Sequence, residues 1–250
     1  MHKMLNSKKE ATMSQITECL IIIPAYNESK NMIKTLQMIR DAVPDMDCIV
    51  VNDASTDDTR DICRKHGIAT LDLPINLGIG GAMQTGYQYA YAHGYSYAIQ
   101  VDGDGQHDPR YIPAMLDTIK KTHADMVIGS RFIAKTGFQS SFVRRLGIRF
   151  FKGIIKLLTG KTKTDVTSGL RLVSQDVIRL FAENYPTDYP EPETIIGLLA
   201  SGYKIDEVPI EMMAREHGKS SISALKGVYY MIKVSLAIVI TAFSRLYPDK

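Results

Sequence analysis

The sequence contains few cysteines, and none has a spacing that binds metal. Its three cysteines, Cys19, Cys48 and Cys63, form no C-x-x-C pair, and the first two lie inside apolar, strand-like runs. This pattern argues against a disulfide framework and against a cysteine-ligated metal site. We therefore expect reduced core residues in a protein of a reducing compartment.

The N-terminus lacks the apolar core of a secretory signal. Residues 1–15, MHKMLNSKKEATMSQ, are mostly polar and carry several basic side chains. We predict a disordered arm over 1–18 and a protein that stays in the cytoplasm. The remaining chain shows no internal repeat and no low-complexity segment, and its length suits one α/β domain.

Acidic residues are nearly missing from one part of the chain. Between 131 and 171 there are ten Lys or Arg residues and one acid, Asp165, so this part carries a net charge of +9. Because the whole chain carries only +3, the remainder carries −6. Such asymmetry indicates that one half of the protein meets an anionic partner: nucleic acid, phosphate or a membrane surface. Aromatic platforms for stacking bases are not evident in the basic part, so we do not expect nucleic-acid binding.

Apolar, β-branched runs alternate with helix-like segments along the first 130 residues. The predicted strands are 19–24, 47–52, 68–73, 97–102 and 125–130, and the predicted helices lie near 29–42, 57–66, 79–94 and 109–121. This alternation predicts an α/β fold with a mostly parallel sheet buried on both faces. Later segments are a basic helix, a strand-like GLRLVS, a short helix near 193–201 and a strand-like YKIDEVPI.

Polar and glycine-rich segments follow all five predicted strands. They are PAYNES, NDASTDD, PINLGIGG, DGDGQHD and GSR. Open parallel sheets bind ligands at the carboxyl ends of their strands, so we expect these segments to line one crevice.

The segment VDGDGQHDP concentrates acidic side chains at a strand end. Asp108 before Pro109 is a typical helix N-cap, but this leaves Asp102 and Asp104 unexplained. Side chains two apart on an extended chain point the same way, so this pair can share one Mg²⁺ or Mn²⁺ ion. The positions that an EF-hand fills with Gly and Glu hold His107 and Pro113, which argues against a calcium loop. His107 has no assigned role.

Two further segments are less specific. NLGIGGAMQTG is neither a Walker loop nor a dinucleotide fingerprint, and it suits close helix packing as well as ligand contact. In VNDASTDDT, Ser55 and Asp58 have capping-box spacing, whereas Asp53 at the strand end is expected to accept hydrogen bonds from a ribose or a base. Tyr26 and Glu28 of PAYNES follow the first predicted strand and could likewise contact a ribose or a base.

Taken together, the ordered segments resemble one known family. IIIPAYNE, VNDASTDDT, NLGIGGAMQTG, VDGDGQHDP, GSRF, DVTSGLRL and REHGKSSI are similar to the family 2 glycosyltransferases of GT-A fold. The chain most resembles the dolichol-phosphate-mannose-synthase-like branch, which passes a sugar from a nucleotide diphosphate to a polyprenyl phosphate. The resemblance implies a catalytic domain over 19–220, with a nucleotide-sugar half at about 19–128 and an acceptor half at about 129–220. It also implies inversion at the anomeric carbon and a default UDP-sugar donor, UDP-glucose or UDP-N-acetylglucosamine.

The resemblance also implies roles for individual residues. The residues expected to bind the nucleotide sugar are Pro24, Tyr26, Glu28, Asp53, Asn76, Gly80, Asp102, Arg215 and Lys219. The expected metal ligands are Asp102, Asp104 and Gln106, and the residues expected to meet the acceptor phosphate are Arg131, Arg145, Arg149 and Arg171. The candidates for catalytic carboxylates are Asp104, Asp165, Glu191 and Glu193, of which the last three could act as a base for a hydroxyl acceptor.

Two helices predict contact with a membrane surface. In 142–158, Arg145, Arg149, Lys152 and Lys156 fall on one helical face, and Val143, Leu146, Phe150, Phe151, Ile154 and Leu158 are predicted to lie opposite. Such a helix is typical of a membrane interface, although a surface helix packed on the core has the same pattern. The C-terminal segment 221–250 is apolar but interrupted by Lys233. We therefore predict a helix that lies on the membrane or packs against a small membrane partner or a second copy, rather than one that spans.

Other functions remain open at this stage. A glycosyltransferase with a saccharide hydroxyl acceptor, a sugar-phosphate nucleotidyltransferase and a catalytically silent membrane-docking module are the alternatives. A nucleotidyltransferase usually has a basic glycine-rich loop after its first strand, and PAYNES is not basic. The intact carboxylate pair argues against the silent module.

Overall fold

The computed structural model describes residues 17–134, 142–213, 224–244 and 247–250. The predicted arm lies almost wholly outside this part, and so do Arg215 and Lys219. The strands are β1 Cys19–Ala25, β2 Asp47–Asn52, β3 Ala69–Asp72, β4 Tyr97–Gln100, β5 Met126–Ser130, β6 Arg171–Ser174 and β7 Ile205–Pro209. The helices are α1 Ser29–Ala42, α2 Thr59–Lys65, α3 Gly78–Ala92, α4 Ile112–Thr122, α5 Phe142–Thr159, α6 Gln175–Glu183, α7 Pro190–Ala200 and α8 Ala224–Ser244.

The seven strands form one mixed sheet in the order β3-β2-β1-β4-β6-β5-β7. The strands β3, β2, β1 and β4 pair in parallel, as do β5 and β7, while β6 runs antiparallel to both of its neighbours. The prediction of a mostly parallel α/β sheet is thus confirmed. The strand β6 lies between β4 and β5, and the helix α5 lies on the connection that leads to it from β5.

Both faces of the sheet are covered by helices. Leu20 and Ile22 of β1 pack into one apolar cluster with α3, α5, α6, α7 and α8. Ile21 and Ile23 pack into a second cluster with α1, α2 and α4. Since alternate side chains point to opposite faces, a strand buried on both sides must be apolar throughout, and β1 is buried along its whole length.

The helix α6 was missing from the sequence prediction. It follows β6 directly, with Ser174 as both the last strand residue and the N-cap position. No glycine or proline separates the two elements, so the sequence shows no turn at which the strand ends.

The predicted split of α5 into a basic and an apolar side is only partly correct. Ile148, Phe151 and Ile155 are buried in the core, as expected of a helix packed on the domain. Phe150 is half exposed and Leu157 is 84% exposed, and they share the outer surface with basic residues of the same helix. The structure describes the backbone at Arg145 but not its side chain.

Two glycines of α3 permit close packing. A Cβ atom on Gly80 would lie 2.3 Å from the carbonyl oxygen of Pro186, and one on Gly86 would lie 2.4 Å from Cγ2 of Ile22. Gly80 is therefore needed where the helix meets the 186–187 backbone. This finding shows that Gly80 serves helix packing, and its contact with the nucleotide stays a prediction.

We predict that Gly80→Ala and Gly86→Ala each destabilise the fold by about 1–3 kcal/mol, because a tightly packed site must shift to admit a methyl group. Urea denaturation followed by circular dichroism measures the change. The matched control is Gly153→Ala in α5, where a Cβ meets nothing within 4 Å. This control should gain roughly 0.5–1 kcal/mol from helix propensity. Equal effects at all three positions would contradict the packing argument.

Candidate active site

The carboxyl ends of β1, β2 and β4 open into one cleft with a volume of about 240 Å³. The cleft is lined by Pro24, Ala25, Tyr26, Glu28, Asp53, Ile79, Ala82, Gln100, Asp102, Gly103, Asp104 and Glu191. Four of the five segments singled out in the sequence thus meet at one place: PAYNES, NDASTDD, PINLGIGG and DGDGQHD. Ile79 belongs to PINLGIGG, and Ala82 directly follows that segment in α3. This confirms that the cleft lies at the carboxyl edge of the parallel strands.

Asp102 and Asp104 both line this cleft. The side chain of Asp102 is about one-third exposed, at 34%, whereas Asp104 as a whole residue is 8% exposed. Oδ1 of Asp104 accepts a hydrogen bond from the backbone N–H of Gln106 at 3.0 Å, and Nε2 of Gln100 donates to Oδ1 of Asp102 at 3.0 Å. The pair presents carboxylate oxygens to one space, which is the donor chemistry that Mg²⁺ and Mn²⁺ prefer.

His107, which the sequence left unassigned, supports Asp102 from behind. Its Nδ1 accepts the backbone N–H of Asp102 at 3.1 Å, so the neutral ring carries its proton on Nε2. That Nε2 lies 3.6 Å from Oδ2 of Asp102, and the ring is buried. A Cβ on Gly169 would come within 3.0 Å of the same Oδ2, so the backbone at Gly169 packs closely against this carboxylate. Asp102 is therefore oriented by its own neighbours.

Gln106 forms two hydrogen bonds with Met213 and so joins the Asp102–Asp104 segment to the end of the described range 142–213. Its side-chain amide donates to the carbonyl oxygen of Met213 at 3.3 Å, and its own carbonyl oxygen accepts from the N–H of Met213 at 3.0 Å. Its role as a metal ligand stays a prediction. The contacts attach the chain that leads to Arg215 and Lys219 to the Asp102–Asp104 segment.

Asp53 stabilises the start of α3 as well as lining the cleft. Its Oδ1 accepts the N–H of Leu77 at 2.7 Å and its Oδ2 accepts the N–H of Gly78 at 2.9 Å. Asn76 donates from Nδ2 to the backbone oxygen of Asp53 at 3.2 Å. The carboxylate of Asp53 is thus already engaged, contrary to the expectation that it is open to a ribose. The predicted nucleotide contacts of Asp53 and Asn76 depend on their remaining acceptor and donor positions.

The capping-box prediction for α2 is wrong, and that for Asp108 is confirmed. Asp58 makes no side-chain cap hydrogen bond, and Ser55 instead accepts the N–H of Asn27 at 3.0 Å. Asp108 accepts the N–H of Arg110 at 3.0 Å at the start of a short 3₁₀ helix that leads into α4.

Arg131 and Asp165 form a buried ion pair. Nε of Arg131 donates to Oδ2 of Asp165 at 2.6 Å, and Nη2 donates to Oδ1 at 2.7 Å. Asp165 is 0% exposed and Arg131 is 3% exposed. A carboxylate with no solvent access and a bidentate guanidinium partner is not placed to take a proton from an acceptor. The ion pair therefore argues against Asp165 as a base. It gives Arg131 a buried protein partner, and the contact of Arg131 with an acceptor phosphate stays a prediction.

Glu207, on β7, holds the same loop and was missed in the sequence. Its carboxylate accepts the N–H of Thr164 at 2.7 Å, the hydroxyl of Thr164 at 2.7 Å and the N–H of Asp165 at 3.0 Å. Nothing in the sequence around Glu207 indicates this role, because its partners lie about forty residues earlier in the chain.

Arg171 is also an internal residue. It is 1% exposed, and it donates to the carbonyl oxygens of Ser168 and Glu191 and to the hydroxyl of Thr194 at 2.7, 2.8 and 2.6 Å. It fixes the start of α7 against β6. These protein partners favour a structural role for Arg171, and its contact with an acceptor phosphate stays a prediction.

The two glutamates of α7 lie in different surroundings. Glu191 lines the cleft, whereas Glu193 accepts a hydrogen bond from Oγ1 of Thr241 on α8 at 3.4 Å. Burial raises the pKa of Glu193, and the hydrogen bond from Thr241 opposes that rise. Of the predicted bases Asp165, Glu191 and Glu193, the structure brings only Glu191 to the cleft.

In the described part of the chain, the helices α5 and α8 contribute none of the residues that line the cleft. Arg149 on α5 is exposed. On α8, Ile232, Leu236, Ile240 and Phe243 are all more than half exposed, while Val234 and Ile238 are buried. Within the described residues, no helix combines the length and apolar character needed to cross a bilayer.

Comparisons with known proteins agree with this architecture. Residues 20–181 match the model of glycosyl transferase family 2. The undecaprenyl-phosphate mannosyltransferase of Micrococcus luteus is 31% identical over 214 residues, which cover 82% of this chain and 87% of that protein. The polyprenol monophosphomannose synthase of Mycolicibacterium smegmatis is 28% identical over 235 residues, which cover 90% of this chain and 88% of that protein.

Among solved structures, the fold is similar to that of glucosyl-3-phosphoglycerate synthase from Mycobacterium tuberculosis, crystallised with Mn²⁺, UDP-glucose and phosphoglyceric acid. The TM-score is 0.65 at 19% identity, and the match covers 93% of this chain and 80% of that one. This likeness supports the GT-A fold that the sequence resemblance implies. With the matched family model and the cleft at the carboxyl ends of its strands, the chain belongs to glycosyltransferase family 2.

Proposed function

We propose that the protein transfers a sugar from a nucleoside diphosphate sugar to a polyprenyl phosphate, with inversion, at the cytoplasmic face of a cell membrane. The product would serve cell-surface glycan synthesis. Two relatives that match over most of their length carry the names of polyprenyl-phosphate sugar transferases. A structural neighbour was crystallised with UDP-glucose, which supports a UDP-sugar donor, UDP-glucose or UDP-N-acetylglucosamine.

The observation that carries this proposal is the pair Asp102 and Asp104 on the wall of the cleft. Among the described residues, no group of three or more His, Cys, Asp or Glu side chains could hold a metal ion by itself. Two carboxylates suit a cation whose remaining ligands are phosphate oxygens and water, as Mg²⁺ commonly has. Asp102 and Asp104 would hold Mg²⁺ or Mn²⁺, and the bound cation would neutralise charge on the departing nucleoside diphosphate.

The distribution of carboxylates favours a phosphate acceptor. A hydroxyl acceptor needs a base to remove its proton, whereas a phosphate is already ionised at neutral pH. Asp165 is fully buried and does not line the cleft, and Glu193 accepts a hydrogen bond from Thr241 of α8. For a hydroxyl acceptor, Glu191 remains the predicted base. A phosphate acceptor requires no base.

The exposed apolar residues of α5 and α8 support contact with a membrane surface. We define the docking face as the outward side chains Phe150, Leu157, Ile232, Leu236, Ile240 and Phe243. Arg149 and Lys156 of α5 and Lys233 of α8 are exposed on the same two helices. Apolar side chains next to cations match a bilayer interface that contains anionic lipid.

We predict that Asp102→Asn and Asp104→Asn each lower sugar transfer to lipid by about 100-fold or more, because the site loses cation affinity and charge stabilisation worth several kcal/mol. Membranes are incubated with a panel of labelled nucleotide sugars, and radioactivity is counted after lipid extraction. EDTA should have the same effect on the wild-type protein. The matched control is Asp117→Asn, an exposed carboxylate on α4, which should keep wild-type activity.

Survival of transfer in both cleft variants would disprove the site assignment. A labelled product that stays in the aqueous phase would disprove the polyprenyl-phosphate acceptor but would be compatible with the family.

We predict that Asp165→Asn lowers the free energy of unfolding by about 3–5 kcal/mol, since it leaves the Arg131 guanidinium buried without its counter-charge. Chemical denaturation gives this quantity directly. If Asp165 were instead a base, the variant would unfold like the wild type and lose only kcat.

We predict that Leu157→Asp and Leu236→Asp reduce binding to vesicles of zwitterionic and anionic phospholipid by roughly tenfold each, as about 1.5 kcal/mol of apolar burial is lost per side chain. Co-sedimentation measures the bound fraction. Ile33→Asp is the control, because Ile33 is 52% exposed on α1, on the opposite face of the sheet. If Ile33→Asp weakened binding as strongly, the docking face would be wrongly placed.

A further inference from the structure

The turns that follow β1 and β2 are joined through one side chain, Asn27. Asn27 lies between Tyr26 and Glu28, both of which line the cleft. Its backbone has φ 56°, in the left-handed region that few residues other than glycine adopt. Asn tolerates this region better than most residues. Ala54, in the facing turn, has φ 55°. Each of the two turns therefore contains one unusual backbone conformation directly beside a residue that lines the cleft.

The side chain of Asn27 points away from the cleft into the turn after β2. Its Oδ1 accepts the N–H of Thr56 at 2.8 Å, the N–H of Asp57 at 3.3 Å and the hydroxyl of Thr56 at 3.3 Å. In return, the N–H of Asn27 donates to Oγ of Ser55 at 3.0 Å. One amide oxygen thus satisfies two backbone N–H groups of a turn that lies almost thirty residues along the chain.

Further hydrogen bonds on each side of Asn27 run between the same two turns. The N–H of Glu28 donates to Oγ1 of Thr59 at 2.9 Å, and the N–H of Ser29 donates to Oδ2 of Asp57 at 3.1 Å. The N–H of Asp53 donates to the carbonyl oxygen of Ala25 at 2.9 Å. Hydrogen bonds at Ala25, Asn27, Glu28 and Ser29 thus link the two turns into one unit.

This unit holds two cleft residues that come from different strands. Tyr26 is half exposed with its ring at the cleft, and Asp53 lines the cleft from the end of β2. A ring and a polar group on separate turns bind one ligand more tightly when the distance between them is already fixed in the free protein, since freedom that remains there is lost on binding.

We propose that Asn27 is a positioning residue for the donor: it locks the turn at 54–57 onto the turn at 26–28 and so fixes the wall that binds the nucleoside. The inference rests on the proposed use of a nucleoside diphosphate sugar. Asn27 acts through Tyr26 and Asp53 and has no contact with the donor of its own.

The left-handed φ at Asn27 determines the choice of variants. Asn27→Gly keeps this backbone conformation without strain and removes the amide, so it tests the side-chain hydrogen bonds alone. Asn27→Asp keeps an acceptor oxygen at the same place and tolerates the same φ. Alanine would add backbone strain to the loss of the amide and is not used. The matched control is His123→Gly, because His123 has φ 53° at the C-terminal end of α4, outside the cleft lining.

The experiment measures the Kd of UDP, GDP, CDP and ADP with Mn²⁺ by calorimetry, and KM and kcat for the donor that is used. Salt at about 0.3 M screens the charge that Asn27→Asp introduces. We expect Asn27→Gly to raise the Kd of the bound nucleotide and the donor KM about tenfold, while the acceptor KM is unchanged. For Asn27→Asp, the nucleotide Kd and the donor KM should lie within about threefold of the wild-type values. For His123→Gly, both should equal the wild-type values. Amide hydrogen exchange at Thr56 and Asp57 should accelerate in Asn27→Gly alone.

The outcomes separate the inference from the proposed function. If the wild type binds none of the four nucleotides, the proposed function is overturned and the inference falls with it. If the wild type binds one of them and Asn27→Gly binds it equally well, only the inference is overturned. A lower kcat with unchanged donor KM in Asn27→Gly would show a loss of folded protein and would likewise overturn the positioning role.

Discussion

The parallel pairing of β1 with β2 and β4 is the constraint on which the cleft depends. In this register Ala25 lies beside Asn52 and Ile22 lies beside Gln100, so the three strands end within a few residues of one another at the same edge. Parallel strands buried on both faces leave their polar groups only at the ends, and the ends that carry the motifs all face one side. Tyr26, Asp53 and Asp102 come together for this reason, although they are distributed over about eighty residues of sequence.

The acidic residues of the motifs divide into two groups with different uses. Asp53, Asp57 and Asp108 accept backbone N–H groups at turns and helix starts, and Asp165 pairs with Arg131. Hydrogen bonds to the charged form, together with the charged Arg110 side chain, offset the desolvation of Asp108 and keep its pKa low. The carboxylates left to line the cleft beside Asp53 are Glu28, Asp102, Asp104 and Glu191. The acidic residues named here therefore divide about equally between holding the loops in place and lining the cleft, and Asp53 does both.

The helix α7 connects the cleft to α8. Its first turn places Glu191 on the cleft wall, and Arg171 holds the backbone of that turn through the carbonyl oxygen of Glu191. Glu193, two residues later, contacts Thr241 of α8. A buried guanidinium with several carbonyl partners is a rigid support, because leaving any of its N–H groups unpaired in the interior is costly. The position of α8 and the position of Glu191 are consequently linked through a single short helix.

The sequence by itself determined the class of fold, the strand ends, the Asp102–Asp104 pair and the Asp108 cap. Each of these features depends on residues that lie a few positions apart in the sequence. Apolar periodicity, a turn signal or two carboxylates on one extended segment need no knowledge of distant partners. Only the tertiary structure decided that Asp165 and Arg171 are internal, that Asp53 caps α3, that Gly80 serves packing and that His107 orients Asp102. The partners of Arg131 and Asp53 lie 34 and 24 residues away along the chain. Whether a charged side chain faces solvent, a ligand or a buried counter-charge is a property of such long-range neighbours, and one sequence does not show which of them fold together.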